Sequence, residues 1–190
     1  MFISFVGSML FMLMWAGVAL GQAPEYKPGE TWTYSAIEKR DEWVVSKQSR
    51  SGFGSGEYKM EILENGALKL DETFAAVMPS LYESKPTISG IDWLAFPLEV
   101  GKTWQVKWYT RSQKWSIGTV KVIGEETVKV PAGEFPSYKL IITGESWVEW
   151  LYWYSPQAKA VVQMTQKQFR KDGSVSVIRT AELTGFTVRH

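Results

Sequence analysis

The chain has 190 residues, no cysteine, and a formal net charge of +1 from 21 basic and 20 acidic side chains. Disulfides and cysteine chemistry are therefore excluded, and a nucleic-acid footprint, which needs a basic excess gathered on one face, is disfavoured. A hydrophobic content of 45% with 22% charged residues is that of a globular protein, and the ten tryptophans are first of all core and sheet-face residues, since each ring must be packed and each N–H satisfied.

Phe2 to Leu20 carries no charged side chain, and Leu10, Phe11, Leu13, Trp15, Val18 and Leu20 make it strongly apolar. Ala19-Leu20-Gly21 or Gly21-Gln22-Ala23 then offers the small-x-small pattern of a signal-peptidase site. Residues 1–22 are expected to be a signal peptide, read as an apolar helix and removed, although no Lys or Arg precedes the run. An uncleaved anchor is the alternative, because about 20 apolar residues just span a bilayer. The remainder, 23–190, is expected to be a single exported domain, periplasmic or extracellular, without a lipid-bearing cysteine.

Beyond Ala23 the dominant pattern is period-two alternation broken by turn residues. Strands are predicted at Thr31 to Ile37, with Trp32, Tyr34 and Ala36 on one face, and at Trp43 to Lys47. Ser49 to Gly56 reads as a Gly/Ser loop. Tyr58, Met60 and Ile62 then alternate with charged residues in a half-buried strand. Asn65-Gly66 predicts a type I′ hairpin turn, which needs positive φ at both positions, and Leu68 and Leu70 lie on the returning strand. Phe74 to Phe96 is weakly patterned, a long connection or irregular edge. Further strands are predicted around Trp104 to Tyr109, over Trp115 to Val122, and over Thr127 to Val130. A turn at Pro131-Ala132-Gly133 follows, and strands over Tyr138 to Ile142, Trp147 to Tyr154, Ala160 to Phe169 and Val175 to Phe186 complete the run, with a turn at Asp172-Gly173. The expected fold is an all-β antiparallel meander of about ten strands, a curved half-barrel or a sandwich, after an N-terminal signal helix.

A short repeat runs through this pattern. Gly29-Glu30-Thr31-Trp32 is echoed by Gly101-Lys102-Thr103-Trp104, and Trp43 by Trp115, at the same offset of 72 residues. A glycine turn feeding a strand whose aromatic packs on its hairpin partner accounts for the spacing. Together with Phe96-Pro97-Leu98-Glu99-Val100, Val130-Pro131-Ala132-Gly133-Glu134-Phe135 and Tyr152-Trp153-Tyr154-Ser155-Pro156, these segments resemble exported bacterial all-β envelope proteins of unknown function, the TapB-like and related domains. The resemblance covers nearly all of the chain after the apolar segment. It implies an envelope or secreted location and a curved antiparallel sheet, and it supplies no catalytic residues.

No catalytic set emerges from the residues. The one histidine, His190, is the final residue, a poor place for the base of a Ser-His-Asp triad. The same scarcity of His and Cys argues against zinc, and no Asp/Asn-rich loop suggests calcium. Ser51 to Gly56 is glycine-rich but lacks the Lys-Ser/Thr and helix of a phosphate loop. No cofactor and no metal site is expected. Glu125-Glu126 and Asp71-Glu72 read as strand-end or turn charges.

Glu149 is the one carboxylate flanked by aromatics, sharing a strand face with Trp147, Leu151 and Trp153. It is either part of a ligand site or a sheet-face acid paired with a cation on the neighbouring strand. Trp147, Glu149, Trp153 and Tyr109 are the candidate ligand-binding residues. Three functional expectations follow: non-enzymatic binding of a lipid or acyl chain by the curved sheet, an envelope assembly protein docking protein partners, and a carbohydrate-binding or carbohydrate-active protein using Glu149. In the first, the weakly patterned region next to the aromatic strands is expected to be a movable cover.

Overall fold

The computed structural model describes residues 22–45, 54–70, 93–109, 115–144 and 147–189; for 70, 108, 109, 115 and 116 only the backbone is described. The predicted signal helix lies outside these residues. The period-two segments form ten strands: β1 (Thr31–Arg40), β2 (Trp43–Val45), β3 (Gly56–Ile62), β4 (Leu68–Leu70), β5 (Thr103–Tyr109), β6 (Trp115–Val130), β7 (Gly133–Thr143), β8 (Val148–Ser155), β9 (Ala160–Phe169) and β10 (Val175–Thr187). They make one antiparallel sheet in the order β4-β3-β1-β10-β9-β8-β7-β6-β5, with β2 also on β1. The fold is all-β, as expected, and is the curved open sheet rather than the sandwich.

The sheet curls so strongly that strands far apart in its order touch. Trp32 of β1 donates its indole N–H to the carbonyl of Ala158 at 2.7 Å, and the Tyr34 hydroxyl donates to that of Val161. The Ala132 N–H, in the β6–β7 turn, reaches the Leu183 carbonyl of β10 at 3.0 Å, and Phe135 packs edge-on against Phe186. Inside the curl lie Trp32, Tyr34, Tyr58, Tyr152, Tyr154, Leu140 and Leu183, all buried. Burial of each large side chain contributes about 2 kcal/mol before entropy is set against it.

The repeat in the sequence is a repeat in geometry. Gly29 and Gly101 both take positive φ, 81° and 91°. Gly29 N–H donates to Ile62 O while Ile62 N–H donates to Glu30 O; Gly101 N–H donates to Val122 O while Val122 N–H donates to Lys102 O. Trp32 and Trp104, three residues on, each donate an indole N–H to a distant carbonyl, of Ala158 and Trp93 respectively. The copies diverge after their first strand. In the second, β6 pairs β5 without a break. In the first, the partner strand is divided into β2 and β3, which share one edge of β1, and the excursion between them closes with Ser55 N–H on Val45 O.

Two expectations about turns and strands are corrected. At Asn65-Gly66 only the glycine has positive φ, 77°. Gly66 N–H bonds back to Leu63 O and the Asn65 side chain accepts from Ala67 N–H, so the turn is a three-residue connection ending in a left-handed glycine rather than type I′. Asp172-Gly173 repeats it: Gly173 N–H bonds to Arg170 O, and Asp172 accepts from Ser174 N–H. The strands predicted separately at Trp115 to Val122 and Thr127 to Val130 are one strand, β6, bent by a β-bulge between Val122 and Gly124. Glu125 and Glu126 therefore lie within a strand and not at its end.

Candidate functional site

The inner face is filled by the chain itself. One row crosses it through Ala36, Ala181, Met164, Tyr152, Leu140 and Val122, each opposite the next. Trp93 and Leu94, from the end of the weakly patterned region, and Leu98 just beyond it are buried over it. The Trp93 ring lies 4.7 Å from that of Tyr152, and Phe96 meets Tyr154 edge-on at 5.5 Å. Lys102 ties this plug down by donating to the carbonyls of Ala95 and Pro97 at 2.6 and 2.7 Å. Buried polar atoms here go unmatched: Trp93 Nε1, the Tyr154 hydroxyl and Ser155 Oγ find no partner among the described residues. Of Phe74 to Phe96, where a movable cover was expected, residues 74–92 lie outside the described residues.

Buried charge appears at both ends of the inner face, and in each place it is paired. Glu38, fully buried on β1, accepts from Arg40 Nε and Arg179 Nε at 2.7 Å each, and Arg179 reaches Gln166 on β9. At the other end Lys159 donates to Glu30 Oε1 at 2.7 Å, while Glu30 also accepts the N–H groups of Lys27 and Arg189. Burial alone would push the Glu30 carboxyl up; the hydrogen bonds from Lys159, Arg189 and Lys27 outweigh it and hold it below the ordinary carboxylate range. Both clusters tie strands together, which is the ordinary role of paired buried charge.

Trp147, Glu149 and Trp153 lie on the outer face, and Tyr109 lies on a separate strand at the far edge of the sheet. Glu149 is half-exposed and faces Lys167 of β9 at 3.8 Å, which is the cross-strand pair of the two readings considered. Trp147 is 46% exposed beside it. Lys167 in turn is opposite Ile178, Ile178 opposite Lys39, and Lys39 opposite Val44, so one outer row runs across β8, β9, β10, β1 and β2. Val44 is 61% exposed on it, with Ile37 and Ile178 also exposed; Trp43, 80% exposed, pairs with Arg40 and so belongs to the opposite face. Tyr109 is the last residue of β5, opposite Trp115, at the far edge of the sheet.

Trp153, the remaining candidate, is buried on the same outer face and belongs to a cluster the sequence did not indicate. Its indole N–H donates to Glu126 Oε1, Lys139 Nζ lies 3.1 Å from that oxygen, and the same ammonium sits 5.0 Å over the Trp153 ring. The bond from Trp153, then that from Lys139, holds the Glu126 carboxyl below its ordinary range. The bulge at Gly124 assembles this corner. An extra residue shifts the alternation of β6, so that Glu125, rather than its neighbour, stands opposite Tyr138. The result is a cleft of about 230 Å3 lined by Glu125, Glu126, Thr127, Pro136, Ser137, Tyr138 and Pro156. A lone glycine inside a strand pattern was the available sequence signal. Among the described residues no group of three or more His, Cys, Asp or Glu side chains is placed to hold a metal.

No family model matches the chain, and no curated protein matches it. Among solved structures, a Bacteroides fragilis protein described as exported, with a YmcC-like fold, is 15% identical at a TM-score of 0.37, covering 85% of this chain and 97% of its own. A protein from Parabacteroides distasonis described as a lipoprotein is 16% identical at a TM-score of 0.34, covering 85% and 96%. The lipoprotein YmcC from Escherichia coli is 14% identical at 0.34, covering 89% and 90%. Both measures are low, and no feature of the site is transferred from them.

Proposed function

We propose that the chain is an exported, non-catalytic protein of the cell envelope that docks a protein partner through the outer face of β2, β1, β10, β9 and β8. The apolar, charge-free stretch from Phe2 to Leu20 supports export. The observation that carries docking is the exposed apolar set Val44, Ile37 and Ile178, continuous with Trp147 and the Glu149–Lys167 pair. Exposed apolar surface of this extent, rimmed by charge, marks contact sites, and an exposed Trp is the side chain most enriched at their centres. Placing a photo-crosslinking residue at Val44, in cells making the chain with its own N-terminus, should give one discrete adduct that Ile178→Asp abolishes. A strictly monomeric, adduct-free protein sinks the proposal.

A second reading is binding of an apolar ligand, a lipid or acyl chain, on the inner face. The unmatched polar atoms of Trp93, Tyr154 and Ser155 favour it, because a plug that leaves such groups unpaired is held less firmly than one that satisfies them. Native mass spectrometry of the gently purified protein separates the two: a retained apolar mass supports this reading, and a bare species removes it.

A further inference from the structure

The corner at the β6 bulge carries a site independent of the docking face. A strand bulge re-aims side chains, and this one sets the Glu125 carboxylate opposite Tyr138, whose side chain is drawn from the inner-facing row of β7. Tyr138 is only 5% exposed, yet it lines the cleft. Burial first, then the negative charges of Glu125 and Glu99, make its hydroxyl harder to ionise, so it stays a neutral group beside a carboxylate.

The chemistry of the lining selects the ligand. Glu126 is already committed to Trp153 and Lys139, which leaves Glu125 as the acceptor facing the cleft. An anion is repelled by the carboxylates. A stacked sugar is disfavoured because the Trp153 ring is covered by Lys139. Among the described residues no three His, Cys, Asp or Glu side chains converge to hold a divalent cation. What remains is a small cation that donates hydrogen bonds and tolerates apolar walls, and Pro136 and Pro156 supply those walls. We propose that this cleft binds a primary ammonium group on a short alkyl chain, held by the carboxylate of Glu125 and the hydroxyl of Tyr138, with the prolines against the chain.

A free alkyl amine and a lysine side chain of another protein share this chemistry. The full chain is therefore titrated with cadaverine and, separately, with the end-blocked tripeptide Gly-Lys-Gly. Binding is followed by the indole N–H resonance of Trp153, which is bonded to the neighbouring Glu126. Saturable shifts are expected with at least one probe, weakening as salt rises from about 0.01 M to about 0.15 M. A response to cadaverine alone assigns the site to free amines; a response to the tripeptide assigns it to lysine side chains. Glu125→Gln, at an exposed position, should weaken binding about tenfold, and Tyr138→Phe should weaken it several-fold, each with its circular dichroism unchanged. No saturable shift up to about 10 mM, equal binding of the N-acetylated probes, or full affinity in Glu125→Gln overturns the proposal.

Discussion

The ammonium of Lys159 sits 2.7 Å from Oε1 of the fully buried Glu30, and its other protons go to the carbonyls of Glu25 and Arg189 at 2.8 Å each. One side chain in the β8–β9 turn thus holds the segment leading into β1 and the segment leaving β10. Lys159→Met leaves the Glu30 charge without its cation, and the expected loss is about 3 kcal/mol in urea unfolding. Adding Glu30→Gln to Lys159→Met should cost less than the sum of the single changes, since the two residues are directly coupled.

The same pair sets a pH dependence. The folded-state pKa of Glu30 is depressed, so its contribution is complete above the unfolded-state pKa of about 4.3 and is lost as pH falls through the lower folded-state value. Unfolding followed from pH 7 to pH 2 should show stability falling in that acidic range, and Glu30→Gln should flatten the fall. An unchanged acid slope in Glu30→Gln contradicts this assignment.

The two repeated turns make a controlled comparison. Gly29 and Gly101 share a left-handed backbone, but a Cβ at Gly29 would lie 3.0 Å from Arg189 Nη2, whereas at Gly101 nothing is within 4 Å. Gly101→Ala should cost about 1–2 kcal/mol from backbone conformation alone, and Gly29→Ala the same or slightly more, as a flexible arginine can move aside. Gly144→Ala should be the more damaging change. Its added Cβ meets the backbone of Ile117 and Gly118 at 2.6 and 2.7 Å, and crowding of that kind costs about 1–3 kcal/mol. Thermal unfolding of the three variants gives the order directly.

Removing the plug tests how the inner face is held. Trp93→Ala should lose about 3–5 kcal/mol, the range for deleting a large buried aromatic. A rise in binding of an apolar dye, with circular dichroism retained, is the expected accompaniment; no dye binding would mean that the face collapses on itself.

Trp153→Phe removes the first of the hydrogen bonds that hold the Glu126 carboxyl low. In a carbon-detected NMR titration Glu126 should then titrate closer to an ordinary glutamate. Stability should change little through this carboxylate, because it is half-exposed and solvent screens it.

The strand frame was legible because alternation and burial agree: Trp32, Tyr34 and Ala36 alternate in the sequence and are buried together. The repeat was legible for the same reason, as a positive-φ glycine two residues before a strand leaves a local mark. Glu149 with Lys167 was foreseeable as one of two readings, since cross-strand pairing follows from the pleat. The Trp153–Glu126–Lys139 cluster was not. It depends on the bulge at Gly124 and on which strands lie beside β7, and neither register nor a long-range neighbour is written in the local pattern. The plug of Trp93, Leu94 and Leu98 escaped notice because a segment with no period of its own takes its place from the cavity it fills.

The sheet order reads as a plain meander that begins at β5, runs to β10, and continues through β1, β3 and β4. Only the covalent order departs from it, and Lys159 grips the chain where β10 gives way to β1. A short linker from Arg189 to Glu25, with new ends opened between β4 and β5, would give a chain in which successive strands are spatial neighbours, and it should fold to the same sheet. In that rearranged protein Glu30 and Lys159, 129 residues apart in the present chain, would be separated only by β9, β10 and the linker.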